Sequence, residues 1–101
     1  MKKILLCCSA GMSTSLLVER MKKAAQERQL QVDIEAIPVA EFESRVDEAD
    51  AVLLGPQVKY RLAAFKQVAD AKGKPIDVID MVAYGMVNGP KVLDQALALI
   101  K

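Results

Sequence analysis

The sequence predicts an α/β fold: a four-stranded parallel sheet of order 2-1-3-4 with helices on both faces. Two observations lead there. Short apolar runs, Ile4-Leu5-Leu6-Cys7-Cys8 and Ala51-Val52-Leu53-Leu54 the most continuous among them, alternate with segments whose apolar residues recur at helical spacing. Strands and helices that alternate through short connections assemble into parallel sheets by right-handed crossovers. The two uninterrupted runs suit strands buried on both faces, and so central positions. A chain of 101 residues, free of internal repeats and low-complexity linkers, is long enough for one core, so a single domain over 1–101 is expected.

The first strand runs from Lys3 to Cys8. After the small-residue stretch Ser9-Ala10-Gly11, Ser13 or Thr14 can cap a helix that buries Leu17, Met21, Ala24 and Ala25, with Glu19, Arg20, Lys22, Lys23 and Glu27 largely opposite. Gln31 to Ile37 sets Val32, Ile34 and Ala36 against Asp33 and Glu35; this alternation marks an edge strand ended by Pro38. Val39 to Asp47, with Phe42 and Val46 a turn apart, reads as a short helix. The third strand, Asp50 to Leu54, is closed by Gly55-Pro56. Val58, Leu62, Phe65, Val68 and Ala69 then line one face of a helix that stops at Gly73. Pro75 to Ile79 is the fourth strand, and Asp80 to Met86 a turn or short helix. Asn88-Gly89-Pro90 starts a last helix burying Val92, Leu93, Ala96, Leu97 and Ile100. In this order the switch point lies between strands one and three, beside the Cys8 and Gly55-Pro56-Gln57 loops, where ligands of such sheets bind.

Composition narrows the function. The formal net charge of +1 gives no support for nucleic-acid binding, so any anion must be held locally. The apolar start is too short for a signal-peptide core and no later stretch can span a bilayer, which predicts a cytoplasmic protein. Two adjacent cysteines and no histidine leave no zinc site, no thioredoxin motif, and no Cys-His or Ser-His-Asp arrangement within the chain. Charge pairs such as Lys22-Lys23 and the lysines at 72 and 74 read as solvated faces.

The chemistry is concentrated where the first strand ends. Side chains alternate along a strand, so Cys7, still within the apolar run, reads as a small buried hydrophobe, while Cys8 stands at the strand's end. A thiol at a helix N-terminus feels the positive end of the dipole and unpaired N–H groups, and both favour thiolate over thiol. Ser9, Ala10 and Gly11 let those N–H groups converge, and Ser13, Thr14 and Ser15 add hydroxyl donors. The loop lacks the glycine pattern of a dinucleotide site and the lysine of a Walker A loop. Its outline is similar to that of the cysteine phosphatases, whose pattern is Cys, five residues, Arg, then Ser or Thr. In this register Thr14 stands where the arginine would. Without a guanidinium fork on the equatorial oxygens, a cysteinyl phosphate is held and handed on rather than hydrolysed.

The run Cys8-Ser9-Ala10-Gly11-Met12-Ser13-Thr14-Ser15-Leu16-Leu17 closely resembles the active-site loop of the IIB components of the lactose/cellobiose (chitobiose) class of the bacterial sugar phosphotransferase system. The likeness extends through Val52-Leu53-Leu54-Gly55-Pro56-Gln57 and Val78-Ile79-Asp80 to Tyr84-Gly85, essentially the whole chain. The resemblance implies a phosphatase-like fold and a phosphocysteine relay with no cofactor or metal. A phosphohistidine on a IIA protein would donate to Cys8, which would pass the group to a sugar held by the membrane-embedded IIC transporter. It implies a protein at the inner face of the membrane only while docked on IIC. A carrier that exposes one face to two partners in turn is most simply a monomer.

Around Cys8, the loop from Ser9 through Ala10, Gly11, Met12, Ser13 and Thr14 to Ser15 is the expected phosphate-binding element. Gln57 either presents its amide across from Cys8 or belongs to a strand-ending turn. Asp80 is expected to cap the turn that follows it, and Tyr84 either reaches the phosphate or packs on the surface. Met12 and Leu16 form a small apolar rim for docking. Two other readings of the loop are a cysteine-based phosphatase or arsenate reductase-like enzyme, against which Thr14 argues, and a non-catalytic interaction module in which Cys8 is incidental.

Overall fold

Four strands, β1 (Lys2–Cys8), β2 (Val32–Pro38), β3 (Ala51–Leu54) and β4 (Ile76–Val78), form one all-parallel sheet in the order β2-β1-β3-β4. The computed structural model describes residues 2–8 and 12–100, and for 12–14 the backbone only. Both faces are covered, which is why Ile4 to Cys8 and Ala51 to Leu54 are buried without interruption. On one face α1 (Met12–Glu27) and α5 (Gly89–Ile100) bring Leu17, Met21, Val92, Leu93 and Ala96 onto Ile4, Leu6, Ile34 and Leu53. On the other, α2 (Phe42–Arg45) and α3 (Leu62–Ala71) bring Phe42 and Phe65 onto Leu5, Cys7, Val52 and Leu54. Each large side chain buried in this way contributes about 1.5–3 kcal/mol. Phe42 and Phe65 stack with ring centroids 4.1 Å apart and planes 4° from parallel, which ties α2 to α3.

The edge assignment of β2 has a direct cause. Asp33 and Glu35 point to the α2 side, where Lys3 Nζ donates to both at 2.8 Å and Arg45 Nη2 donates to Glu35 at 2.7 Å. Ile37, two residues on, is buried on that same side, so the acidic residues sit only where the helix layer leaves the edge open to solvent.

Two helical segments depart from the sequence expectation. Residues 39–48 form not one helix but α2 between two 3-10 turns, Val39–Glu41 and Val46–Glu48. Phe42 and Val46 still reach the core. The helix expected from Val58 opens as a 3-10 segment, Pro56–Arg61, in which Val58 has φ −119° and ψ 20°, and becomes α-helical only at Leu62. Burying Val58 takes precedence over regular geometry. The strand expected over Pro75 to Ile79 is shorter, Ile76–Val78, although Pro75 O and Ile79 N still bond to β3. As the sequence suggests, α3 ends at Gly73: with φ 69°, Gly73 N–H donates to Asp70 O and Lys74 N–H to Ala69 O, a Schellman closure. The same closure ends α1 at Gln29 and α4 (Met81–Gly85) at Val87, without glycine.

Candidate active site

Strand order brings the end of β1 and the loops after β3 and β4 to one edge of the sheet. Gly55 N–H donates to Cys7 O at 2.8 Å, and Ile79 N–H to Leu54 O at 2.8 Å. The carboxyl ends of β1, β3 and β4 therefore lie side by side. Leu5 and Cys7 face α2 and α3, so alternation turns Cys8 to the α1 and α5 side.

Both thiols are buried, but they differ in surroundings. Cys7 lies within the apolar cluster under α3, and burial, with the neighbouring Cys8 second, pushes its thiol up to about 12. It stays protonated, a packing residue. Cys8 is the last residue of β1, separated from α1 by three residues. The N–H groups of an α-helix's first turn have no partner within the helix and carry its positive dipole end.

The helix begins at Met12, which corrects the expectation that Ser13 or Thr14 caps it. Both lie inside its first turn, so their N–H groups belong to the helix start itself. Ser15 and Leu16 follow on an exposed side, Leu16 at 47% exposure. Ser9, Ala10 and Gly11, and the side chains of Met12, Ser13 and Thr14, lie outside the described residues, so their expected part in phosphate binding and the docking role of Met12 are not placed.

The other two loops meet. Gln57 Nε2 donates to Tyr84 Oη at 3.1 Å, joining the 3-10 segment after β3 to α4. Asp80 takes the capping role: its Oδ2 accepts from Ala83 N–H at 2.9 Å. Its own N–H donates to Gln95 Oε1 at 3.0 Å, while Gln95 Nε2 donates to Val78 O at 2.7 Å. The Gln95 amide thus continues the edge of β4 as a neighbouring strand would, and pins Asp80 under α4. Sequence reading overlooked Gln95, because a glutamine on a helix carries no local signal of the strand it will meet.

Exposed Met81 and Val82 stand on α4 beside Tyr84, exposed Met86 follows its last residue, and Tyr60 lies on the 3-10 segment that carries Gln57. A cleft of about 580 Å³ lies instead at the amino edge, lined by Lys2, Asp50, Asp70 and Lys74. It is at the far end of the strands from Cys8, and the chemistry follows the thiol and the helix start rather than this hollow. Among the described residues no group of three His, Cys, Asp or Glu is placed to hold a metal ion.

A family model described as "PTS system, Lactose/Cellobiose specific IIB subunit" matches residues 3–95. The chain belongs to this IIB family. IIB membership agrees with its likeness to the PTS system oligo-beta-mannoside-specific EIIB component of Bacillus subtilis (strain 168), 46% identical over 99% of this chain and 97% of that one. The solution structure of a cellobiose-specific phosphotransferase IIB component from Borrelia burgdorferi is 40% identical, with TM-score 0.82 over 98% of this chain and 91% of that one. The lactose-specific IIB domain of Streptococcus pneumoniae shares the fold at TM-score 0.89, over 99% of this chain and 98% of that one, with 19% identity. The protein is thus an EIIB component of sugar uptake and a phosphotransferase. No helix among its described residues is long and apolar enough to cross a membrane.

Proposed function

We propose that this IIB component carries the phosphoryl group on Cys8, accepting it from a phosphohistidine IIA protein and delivering it to a sugar bound by the membrane IIC transporter. The observation that supports it best is the position of Cys8 as the last residue of β1, separated from α1 by three residues, with the Gly55–Gln57 and Asp80–Tyr84 segments beside it. Cys7, within the core and held protonated, is no rival.

In the first step the Cys8 thiolate attacks phosphorus in line. The S–P bond forms as the P–N bond to the donor imidazole breaks, and its electron pair stays on nitrogen. Loop N–H groups from Ala10 to Ser15 hold the phosphoryl oxygens. In the second step a sugar hydroxyl forms the O–P bond, the thiolate leaves, and the hydroxyl proton passes to a base of the transporter. Each step is chiefly positioning and charge stabilisation. Thr14, where a phosphatase would hold an arginine, leaves the cysteinyl phosphate transferable. The relatives are named for three different sugars on one fold, in keeping with a sugar chosen by IIC rather than by this chain. We take residues 1–101 as one IIB domain that acts as a monomer in the cytoplasm and meets the membrane through IIC.

The test is phosphorylation by a complete donor relay followed by intact-mass measurement. One phosphate is expected on the wild type and on Cys7→Ala, and none on Cys8→Ser. Phosphate surviving in Cys8→Ser overturns the assignment. Cys8-dependent turnover of a small aryl phosphate overturns the carrier role in favour of a phosphatase.

A further inference from the structure

Gly55 is a glycine that its backbone does not require. Its φ of −61° and ψ of 146° are open to any residue, and they suit a position before a proline. What the missing side chain leaves free is space. A Cβ on Gly55 would stand 2.6 Å from Gln57 Oε1, 3.1 Å from Cδ and 3.3 Å from Nε2, with the Gln57 amide as its three nearest neighbours. The amide of Gln57 is therefore folded back into the place a Gly55 side chain would take. From there Nε2 reaches Tyr84 Oη at 3.1 Å. Gly55 is also the residue whose N–H is bonded to the carbonyl of Cys7, and its own carbonyl accepts from Val58 N–H at 2.9 Å, so its place beside the end of β1 is fixed from both sides.

We propose that Gly55 is a positioning residue for phosphoryl transfer: by yielding its Cβ position to the Gln57 amide, it holds Gln57 against the Tyr84 hydroxyl and locks two loops together beside Cys8. The lock thus fixes the place of the Tyr84 hydroxyl at the carboxyl edge, where a phosphoryl group on Cys8 would be received. This inference rests on Cys8 as the phosphoryl carrier.

Gly55→Ala is the direct test, because alanine fits the backbone and the atoms it displaces end a flexible side chain. Transfer from the phosphorylated donor to Cys8 is timed in the wild type, Gly55→Ala, Gln57→Ala and the double variant. Nitrogen-15 spectra record the Gln57 side-chain amide in the wild type and Gly55→Ala, and ring-proton spectra record Tyr84 in all four proteins. Each single variant is expected to slow transfer roughly three- to tenfold, the scale of one hydrogen bond. The double variant should be no slower than either, since both break the same link. Gly55→Ala should also move the Tyr84 ring signals as Gln57→Ala does, at an unchanged melting temperature. Unaltered Tyr84 and Gln57 signals in Gly55→Ala, a wild-type rate, or effects that multiply in the double variant each overturn the proposal. A wild type that takes up no phosphate on Cys8 overturns instead the carrier reading beneath it, while the spectra still decide whether Gly55 sets the Gln57–Tyr84 contact.

Discussion

Replacing Gly89 with alanine is expected to lower the melting temperature by roughly 8–16 °C, through a clash that the tertiary structure defines. Gly89 is buried at the first position of α5, against the backbone of α1. A Cβ there would lie 2.5 Å from the carbonyl carbon of Arg20, 2.7 Å from Arg20 Cβ and 2.7 Å from Met21 N. These neighbours are mostly helix backbone, which cannot swing aside as a side-chain tip can. The two helices would have to part by roughly 1 Å in a region packed at interior density. Overpacking of this kind costs about 1–3 kcal/mol, and rigid neighbours favour the upper part of that range. Alanine recovers about 0.5–1 kcal/mol of chain entropy, because Gly89 does not have a positive φ. The net is about 2 kcal/mol, read by thermal and urea unfolding. Gly85→Ala is the control: Gly85 ends α4, has nothing within 4 Å of its virtual Cβ, and should be neutral or slightly stabilising. A Gly89→Ala protein as stable as the wild type would refute the close approach of α1 and α5.

The Lys3–Glu35–Arg45 network predicts a particular acid response. Hydrogen bonds from Arg45 and then Lys3 lower the Glu35 carboxyl from its ordinary 4.5 to about 2. A depressed carboxyl contributes stability that is complete above about 4.5 and disappears as pH falls toward about 2. Glu35 is 39% exposed, so solvent screening holds its worth to about 1 kcal/mol. Urea midpoints of wild type and Glu35→Gln should accordingly differ at pH 7 and converge near pH 2; a gap independent of pH counts against this account. For Cys7, whose thiol is raised by burial, a Cys8→Ser protein at pH 8 should resist a thiol reagent until denaturant is added, and prompt labelling in the folded state would contradict its buried role.

Much of the fold is legible in the local pattern of residues. The uninterrupted runs at 4–8 and 51–54 mark central strands because only a strand covered on both faces can keep every side chain apolar. Alternation at 32–36 marks the edge, Gly73 the end of α3, and Asp80 the cap of α4. Each is a short-range requirement, met by residues close together in the chain. Segments 39–48 and 56–61 were less legible because their geometry answers to distant partners: Phe42 turns toward Phe65, and Val58 leaves helical angles to reach the core.

For the site, the sequence by itself determined which residues the proposed chemistry draws on: a thiol ending an apolar strand, the small residues Ser9-Ala10-Gly11, the hydroxyl residues Ser13 to Ser15, and Thr14 where a phosphatase holds arginine. Alternation along β1 also separated Cys8 from Cys7, and of the two only Cys7 belongs to the apolar cluster under α3. Only the tertiary structure decided that Gln57 meets Tyr84, 27 residues away, that Gly55 gives up its side-chain space to that amide, and that Gln95 closes the edge beside Asp80. The physical reason is range. Hydrophobic period and turn chemistry act over a few residues, whereas a hydrogen bond between two loops exists only after the strand order has set them side by side.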